Sequence, residues 1–285
     1  MTSVVESQAS TPASLAALVR QHDRDRFATA MFAPEPRREN LFALYAFNYE
    51  LAKVRESVRE PMMGRVRLQW WRDTLAEIAA GQPPRRHEVA EPLARVIRAH
   101  HLSQSTLTRM IDAREQDLLP DPPTTFTQLE DYVDATGGGL NYLALQALAV
   151  KDSKGAAPIA ARHVGVGYAL AGVLRATAFN ARFGLSHIPI ELDPDRHALG
   201  GKATPALCDA AATIAEAAHA RFAKARSLSD DIPEAAMPVL LPMRVAEHWL
   251  GQIERAGYDL FAPRILRPDP WRGLRLALAA RRGRL

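Results

Sequence analysis

Paired carboxylates are the first groups in this chain whose type and spacing could do chemistry. Glu130 and Asp134, Asp131 and Asp134, and Asp112 and Glu115 stand three or four residues apart. That spacing puts two side chains on one helix face, where they can share a divalent cation. No second acidic helix obviously opposes any of these pairs, so a solvated helix face is the favoured reading. Glu191, Asp193 and Asp195 lie among prolines and read as a turn. None of the nine histidines forms a metal pair of the H-E-x-x-H kind, and His100 and His101, being adjacent, point to different helix faces. Gly165-Val166-Gly167 has no strand before it and is set aside as a nucleotide loop. No serine elbow or P-loop is present. The single Cys208 excludes an internal disulfide and fits a reducing compartment; it reads as a small core residue rather than a nucleophile.

The elements that must position these groups are helices. Apolar residues recur at helical spacing nearly throughout, and no stretch alternates cleanly with period two. The pattern predicts helices over 14–32, 38–58, 62–80, 88–101, 104–119, 126–149, 157–180, 204–228, 236–256 and 271–283. Prolines and glycines punctuate them, among them Pro34, Pro61, Pro83-Pro84, Pro120 through Pro123, Gly155 and Pro189. Thr125 or Thr127 is placed to cap the helix from 126. Gly137-Gly138-Gly139 should bend that helix or let another approach closely. With 47% hydrophobic and 24% charged residues in 285, the chain can fill a core, as one large domain or two closely packed ones. No run approaches 18 consecutive apolar residues, so no membrane span is expected. The net charge of +4 is carried by the end of the chain, where Arg264 to Leu285 holds seven arginines and one aspartate. Such a tail suits acidic lipid headgroups, nucleic acid or an acidic protein face. Trp271, Leu274 and Leu278 fall at i, i+3 and i+7. Their stripe either lies on an anionic surface or packs into the bundle while the arginines stay in water.

From about Asp23 to Phe261 the chain resembles the squalene/phytoene synthase family, with landmarks in order: DRDRFATAMFAPEPRR (23–38), ALYAF (43–47), RLQWWRD (67–73), MIDAREQDL (110–118), GGGL (137–140) and VLRATAFNARFGLSHIP (173–189). The resemblance implies two helices whose aspartates hold magnesium ions against an allylic diphosphate. Here the first motif keeps Tyr45-Ala46-Phe47, but its adjacent aspartates fall on Ala52 and Lys53, its last on Glu56, and its phosphate-binding arginine on Tyr49. The second motif keeps Arg175 and Ile188-Pro189. Its glutamine falls on Ala169, its asparagine on Gly172 and its aspartates on Ala176 and Asn180. Magnesium neutralises the charge that develops as the carbon–oxygen bond breaks, and loss of one such electrostatic group typically costs ~100- to 1,000-fold in rate. A site stripped of both sets is not expected to ionise a diphosphate.

In the family's layout Lys53, Arg55, Arg59, Arg65, Arg67, Arg72 and Arg175 surround these positions. Two uses stand open. Lys53 pairs with Glu50 or Glu56 while Arg72 and Arg175 brace helices, or Lys53, Arg67, Arg72 and Arg175 line a metal-free pocket for a phosphate or lipid headgroup. The phrases AFNYELAKVRESVREPMMGRVRLQWWRD (46–73), LRAT (174–177), IPIEL (188–192) and YDLFAP (258–263) resemble the branch of the superfamily that serves assembly of respiratory complex I.

That resemblance implies an all-α fold, a single antiparallel bundle of the isoprenoid synthase type around a central cavity. The expected layout is a flexible segment 1–13, a helical domain 14–263 and a basic segment 264–285. The expected function is non-catalytic support of complex I assembly, with a complex I subunit or assembly intermediate as partner and neither cofactor nor nucleic acid. The alternatives are a magnesium-dependent head-to-head prenyltransferase with an altered site, or an isoprenoid or lipid binder. Residues 1–13 contain no arginine and carry Glu6, unlike a transit peptide. A bacterial protein is therefore expected, in the cytoplasm or peripheral on the inner face of the plasma membrane.

Overall fold

The computed structural model describes residues 14–283, so the expected flexible segment 1–13 lies outside the described residues. Among the described residues there are helices and turns but no strand, as the apolar spacing predicts. The helix expected over 14–32 is two, α1 (Leu15–His22) and α2 (Arg24–Ala30). Asp23 breaks it: its backbone leaves helical geometry at φ −140°, ψ 72°, and its carboxylate accepts the Arg26 N–H that α2 would otherwise leave unpaired.

The central helix α3 (Glu35–Ala52) starts with Pro36 in its first turn, where a missing N–H costs nothing. Leu41 to Phe47 is buried without interruption, so α3 is covered on all sides rather than amphipathic. It ends at Ala52 and residues 53–57 form turns, six residues short of the predicted end. Then come α4 (Pro61–Ala79), α5 (Ala90–His100), α6 (Gln104–Ala113) and a 3-10 turn at Gln116–Leu118. His101 closes α5 in the left-handed conformation, φ 50°.

The hydroxyl of Thr125 accepts the Gln128 N–H at 3.2 Å and starts α7 (Phe126–Val133). A π-helical segment, Asp134–Gly138, links it to α8 (Gly139–Ala147). The long α9 (Ala156–Ala181) is the second central helix and packs against α8, α10 (Pro205–Arg226) and α12 (Pro242–Glu254), while α3 packs against α1, α5 and α8. The short α11 (Met237–Leu240) stands apart from α12 at Pro242. By length and composition α9 is apolar enough to cross a membrane, but 61% of its apolar window is buried in the bundle, as befits a core helix.

The glycines singled out in the sequence are a helix crossing. A methyl on Gly137 would sit 2.5 Å from the Gly165 carbonyl oxygen, and one on Gly165 would meet the Gly137 carbonyl. Gly165 and Gly167 therefore serve close backbone approach, Gly167 to the Phe222 ring. The last helix, α13 (Arg272–Arg282), docks through buried Leu276 and Ala279 against α12, and Arg272 bonds Asp25 at 2.5 Å. The stripe of Trp271, Leu274 and Leu278 does not pack into the bundle; it faces outward, 66%, 54% and 46% exposed. Cys208 is half-buried on α10 rather than in the core, and burial pushes its thiol pKa up.

Candidate functional site

Two adjoining cavities open between the end of α3 and the middle of α9. The first, about 210 Å³, is bounded by Ala52, Glu56, Asn180 and the turns carrying Asp117 and His187. The second, about 230 Å³, runs along α9 past Gly172, Ala176 and Asn180 to Arg26 and Tyr168. Arg114, Tyr132, Asn180 and His187 line both. Six of the eight substituted motif positions, Ala52, Glu56, Ala169, Gly172, Ala176 and Asn180, thus converge here. Tyr49 and Lys53 turn away: the Tyr49 ring stacks on His22 at 4.0 Å, and Lys53 Nζ bonds Glu50 at 2.5 Å.

Between the cavities lies a polar network that the sequence reading missed. Arg114 Nη1 donates to Asp117 at 3.1 Å and to the Tyr132 hydroxyl at 2.7 Å, and that hydroxyl donates to Asp117 at 2.8 Å. His187 Nε2 lies 3.1 Å from the same carboxylate. The Arg114 and Asp117 side chains are only 15% and 11% exposed. Burial alone would raise the Asp117 carboxyl; Arg114, His187 and Tyr132 outweigh it and hold it at about 2. Burial pushes the Tyr132 phenol far above its ordinary range, so it remains a neutral donor. Deeper in, Arg26 bonds Asp23 at 2.8 Å and lies 4.5 Å over the Tyr168 ring. Its Nε has no hydrogen-bond partner among the described residues. Of the guanidinium groups on the cavity wall, Arg26 and Arg114 are matched by carboxylates, while Arg55 forms no ion pair among the described residues and lines the first cavity together with the exposed Glu56. The space therefore offers donors and aromatic faces with little net charge.

Of the candidate cations Arg55 lines the first cavity, whereas Lys53, Arg67, Arg72 and Arg175 line neither. Lys53 and Arg67 line a separate pocket of about 210 Å³ with Glu50, Trp70, Trp71 and His87. Arg67 also reaches the Ser57 hydroxyl at 2.6 Å. Arg72 bridges Asp112 and Glu115 at 2.8 and 2.6 Å, bracing α4 against the end of α6. Arg175 lies 4.6 Å over the Trp249 ring and braces α9 against α12. Apart from Asp131, which has no ion pair among the described residues, the paired candidate acids meet cations rather than each other. Asp134 is held by Arg162 and Arg109, and Glu130 by Arg221. Asp193, 2% exposed, accepts the His197 and Ala198 N–H groups and organises its turn. His100 faces Asn40, 2.8 Å from its amide nitrogen. Among the described residues no three metal-ligating side chains come together.

The family profile for squalene/phytoene synthase matches residues 19–273. The chain belongs to the squalene/phytoene synthase family. Within it, the chain is 31% identical over 257 residues to NADH dehydrogenase (ubiquinone) complex I, assembly factor 6 of Bos taurus, spanning 88% of this chain and 76% of that protein. It is 26% identical over 221 residues to presqualene diphosphate synthase of Rhodopseudomonas palustris, spanning 73% and 75%. A crystal structure of a dehydrosqualene synthase in complex with ligand shares the fold, with TM-score 0.80 over 94% of both chains at 16% identity. A magnesium–diphosphate group of the kind the family resemblance implies does not fit the residues present. Ala52, Lys53, Ala176 and Asn180 supply no carboxylate, Glu56 is exposed on a turn, and Asp117 is consumed by Arg114 and His187.

Proposed function

We propose that this chain is a non-catalytic member of the squalene/phytoene synthase family that supports assembly of respiratory complex I, NADH:ubiquinone oxidoreductase, by binding one of its subunits or an assembly intermediate. The observation that carries the reading is the cavity wall at Ala52, Ala176 and Asn180, where apolar or neutral groups stand and the buried Asp117 is taken up by Arg114 and His187. The likeness to complex I assembly factor 6 supplies the biological direction. The protein works without a cofactor, in a bacterial cytoplasm or on the inner face of the plasma membrane. Deleting its gene lowers assembled complex I and NADH-linked respiration, while carotenoid or hopanoid levels stay normal. The reverse pattern overturns the reading.

A second reading, a magnesium-dependent prenyltransferase, is favoured by the likeness to presqualene diphosphate synthase and by the surviving cavity. Incubating purified protein with farnesyl or geranylgeranyl diphosphate and magnesium decides between them. Pyrophosphate release above a heat-killed control, lost in Glu56→Gln, establishes the transferase; its absence sustains the assembly role.

A further inference from the structure

The outer face of α12 and α13 has a charge pattern unlike that of the cavity. A groove of about 340 Å³ runs between these helices, lined by Arg244, Glu247, His248, Arg275, Leu278 and Arg282. Its one lining carboxylate, Glu247, is shared between Arg226 and Arg244. Arg275 leans on Asp269, and Arg282 has no carboxylate partner among the described residues. His248 Nε2 is buried with no hydrogen-bond partner. Cations thus outnumber the acids that could satisfy them. The groove also touches apolar surface: Leu278 lines it and belongs to the exposed stripe with Leu274 and Trp271.

We propose that the groove and this stripe together form a docking site for an anionic phospholipid surface, the arginines taking lipid phosphates and Trp271, Leu274 and Leu278 entering the headgroup boundary. Guanidinium groups are suited to phosphate because they donate paired N–H bonds in one plane. A helix with an apolar stripe and arginine flanks lies flat in such an interface. The shared Leu278 places both chemistries on one face, which a soluble phosphate would not require. Burial and the neighbouring Arg226 and Arg282 already pull the Arg244 pKa down, so an arriving anion relieves repulsion stored in the groove. Because Leu276 and Ala279 fasten α13 to the bundle, the site is a feature of the folded protein rather than of a loose tail. The proposal stands apart from the assembly reading, since lipid binding is measured without complex I.

The test is co-sedimentation of the full chain with vesicles. At low salt the protein pellets with phosphatidylcholine vesicles containing phosphatidylglycerol and stays in solution with phosphatidylcholine alone; added salt releases it. Arg282→Gln weakens partitioning about five-fold, the equivalent of roughly 1 kcal/mol for one basic residue at an anionic leaflet. The Leu274→Gln/Leu278→Gln pair weakens it roughly ten-fold or more. Both variants keep the parent Tm, because neither touches the buried face of α13. If no phosphatidylglycerol vesicle retains the protein, the proposal fails. It also fails if inorganic phosphate saturates the groove in calorimetry while vesicles bind nothing, for the site then takes a soluble anion. Binding that the leucine pair leaves unchanged would likewise overturn it.

Discussion

Arginine is used in two opposite ways in this molecule. Along the cavity between α3 and α9, Arg26 and Arg114 are buried, and each has a carboxylate within about hydrogen-bond reach, Asp23 at 2.8 Å and Asp117 at 3.1 Å. Along the groove between α12 and α13, Arg244, Arg275 and Arg282 are a third or more exposed or border solvent, and they crowd around too few acids. The difference follows from solvation. A buried charge without a partner costs several kcal/mol, so Arg26 and Arg114 are each held against a carboxylate. Water screens the outer groove, which can keep a surplus for a partner to satisfy. One region spends its charges on the fold and the other leaves them for contact.

The comparison breaks most visibly inside. Asp117→Ala strands Arg114, and urea denaturation should show a loss of about 4 kcal/mol, the usual scale for removing one member of a buried pair. Replacing both, as Arg114→Met with Asp117→Leu, should recover most of that loss; if the double variant is as unstable as the single, the network is more than a matched pair. Gly165→Ala comes next. The added methyl meets the Gly137 carbonyl, which is backbone and cannot swing away, so a cost of about 3 kcal/mol is expected, the upper end for overpacking.

The acid limb of stability sharpens the same contrast. The Asp117 carboxyl lies at about 2 in the folded chain against an ordinary 3.8. Its contribution is therefore complete above the unfolded value and disappears as pH falls through about 2, for a total of about 2 kcal/mol. Melting curves from pH 5 downward should show this limb in the parent and a flatter one in Asp117→Asn. The smallest effect is expected at Lys53, whose pairing with Glu50 is one helical turn long and 34% exposed on the lysine side. Lys53→Ala should cost about 1 kcal/mol, because it removes the ion-pair partner of Glu50, whose side chain is only 9% exposed but borders a pocket with Arg67. A much larger loss would mean that the pocket with Arg67 and Trp70 matters to the fold.

Helix order was legible because burial imposes a period, and Thr125 and Pro61 mark ends by known backbone chemistry; Pro242, inside the helix expected over 236–256, instead divides it into α11 and α12. The break at Asp23 was not legible, since nothing around it but the capping carboxylate opposes a helix. The early end of α3 was hidden for the same reason: LAKVRE is made of good helix formers. That error mis-grouped the cations, because turns at 53–57 send Lys53 and Arg67 to one pocket and Arg72 to the acids of α6. The motif positions Ala52, Gly172, Ala176 and Asn180 did meet at one site, as their order along the family pattern implied. The network of Arg114, Asp117, Tyr132 and His187 was invisible because its members are up to 73 residues apart in sequence, and the only local trace, Arg114 three before Asp117, looks like any surface pair.

The π-helical segment at Asp134–Gly138 carries a consequence of phase. One residue more per turn than α-geometry offsets everything after it by about 100° around the axis. Upstream, Tyr132 and Val133 line the cavity; downstream, Asn141 reaches α11 instead, donating to the Val239 carbonyl at 2.8 Å. Removing a single residue such as Ala135 would restore the α-helical phase while leaving every other side chain chemically intact. It would also turn one wall of the cavity away from it, or Asn141 away from α11. The cavity's composition is written in its residues, but its orientation depends on a count.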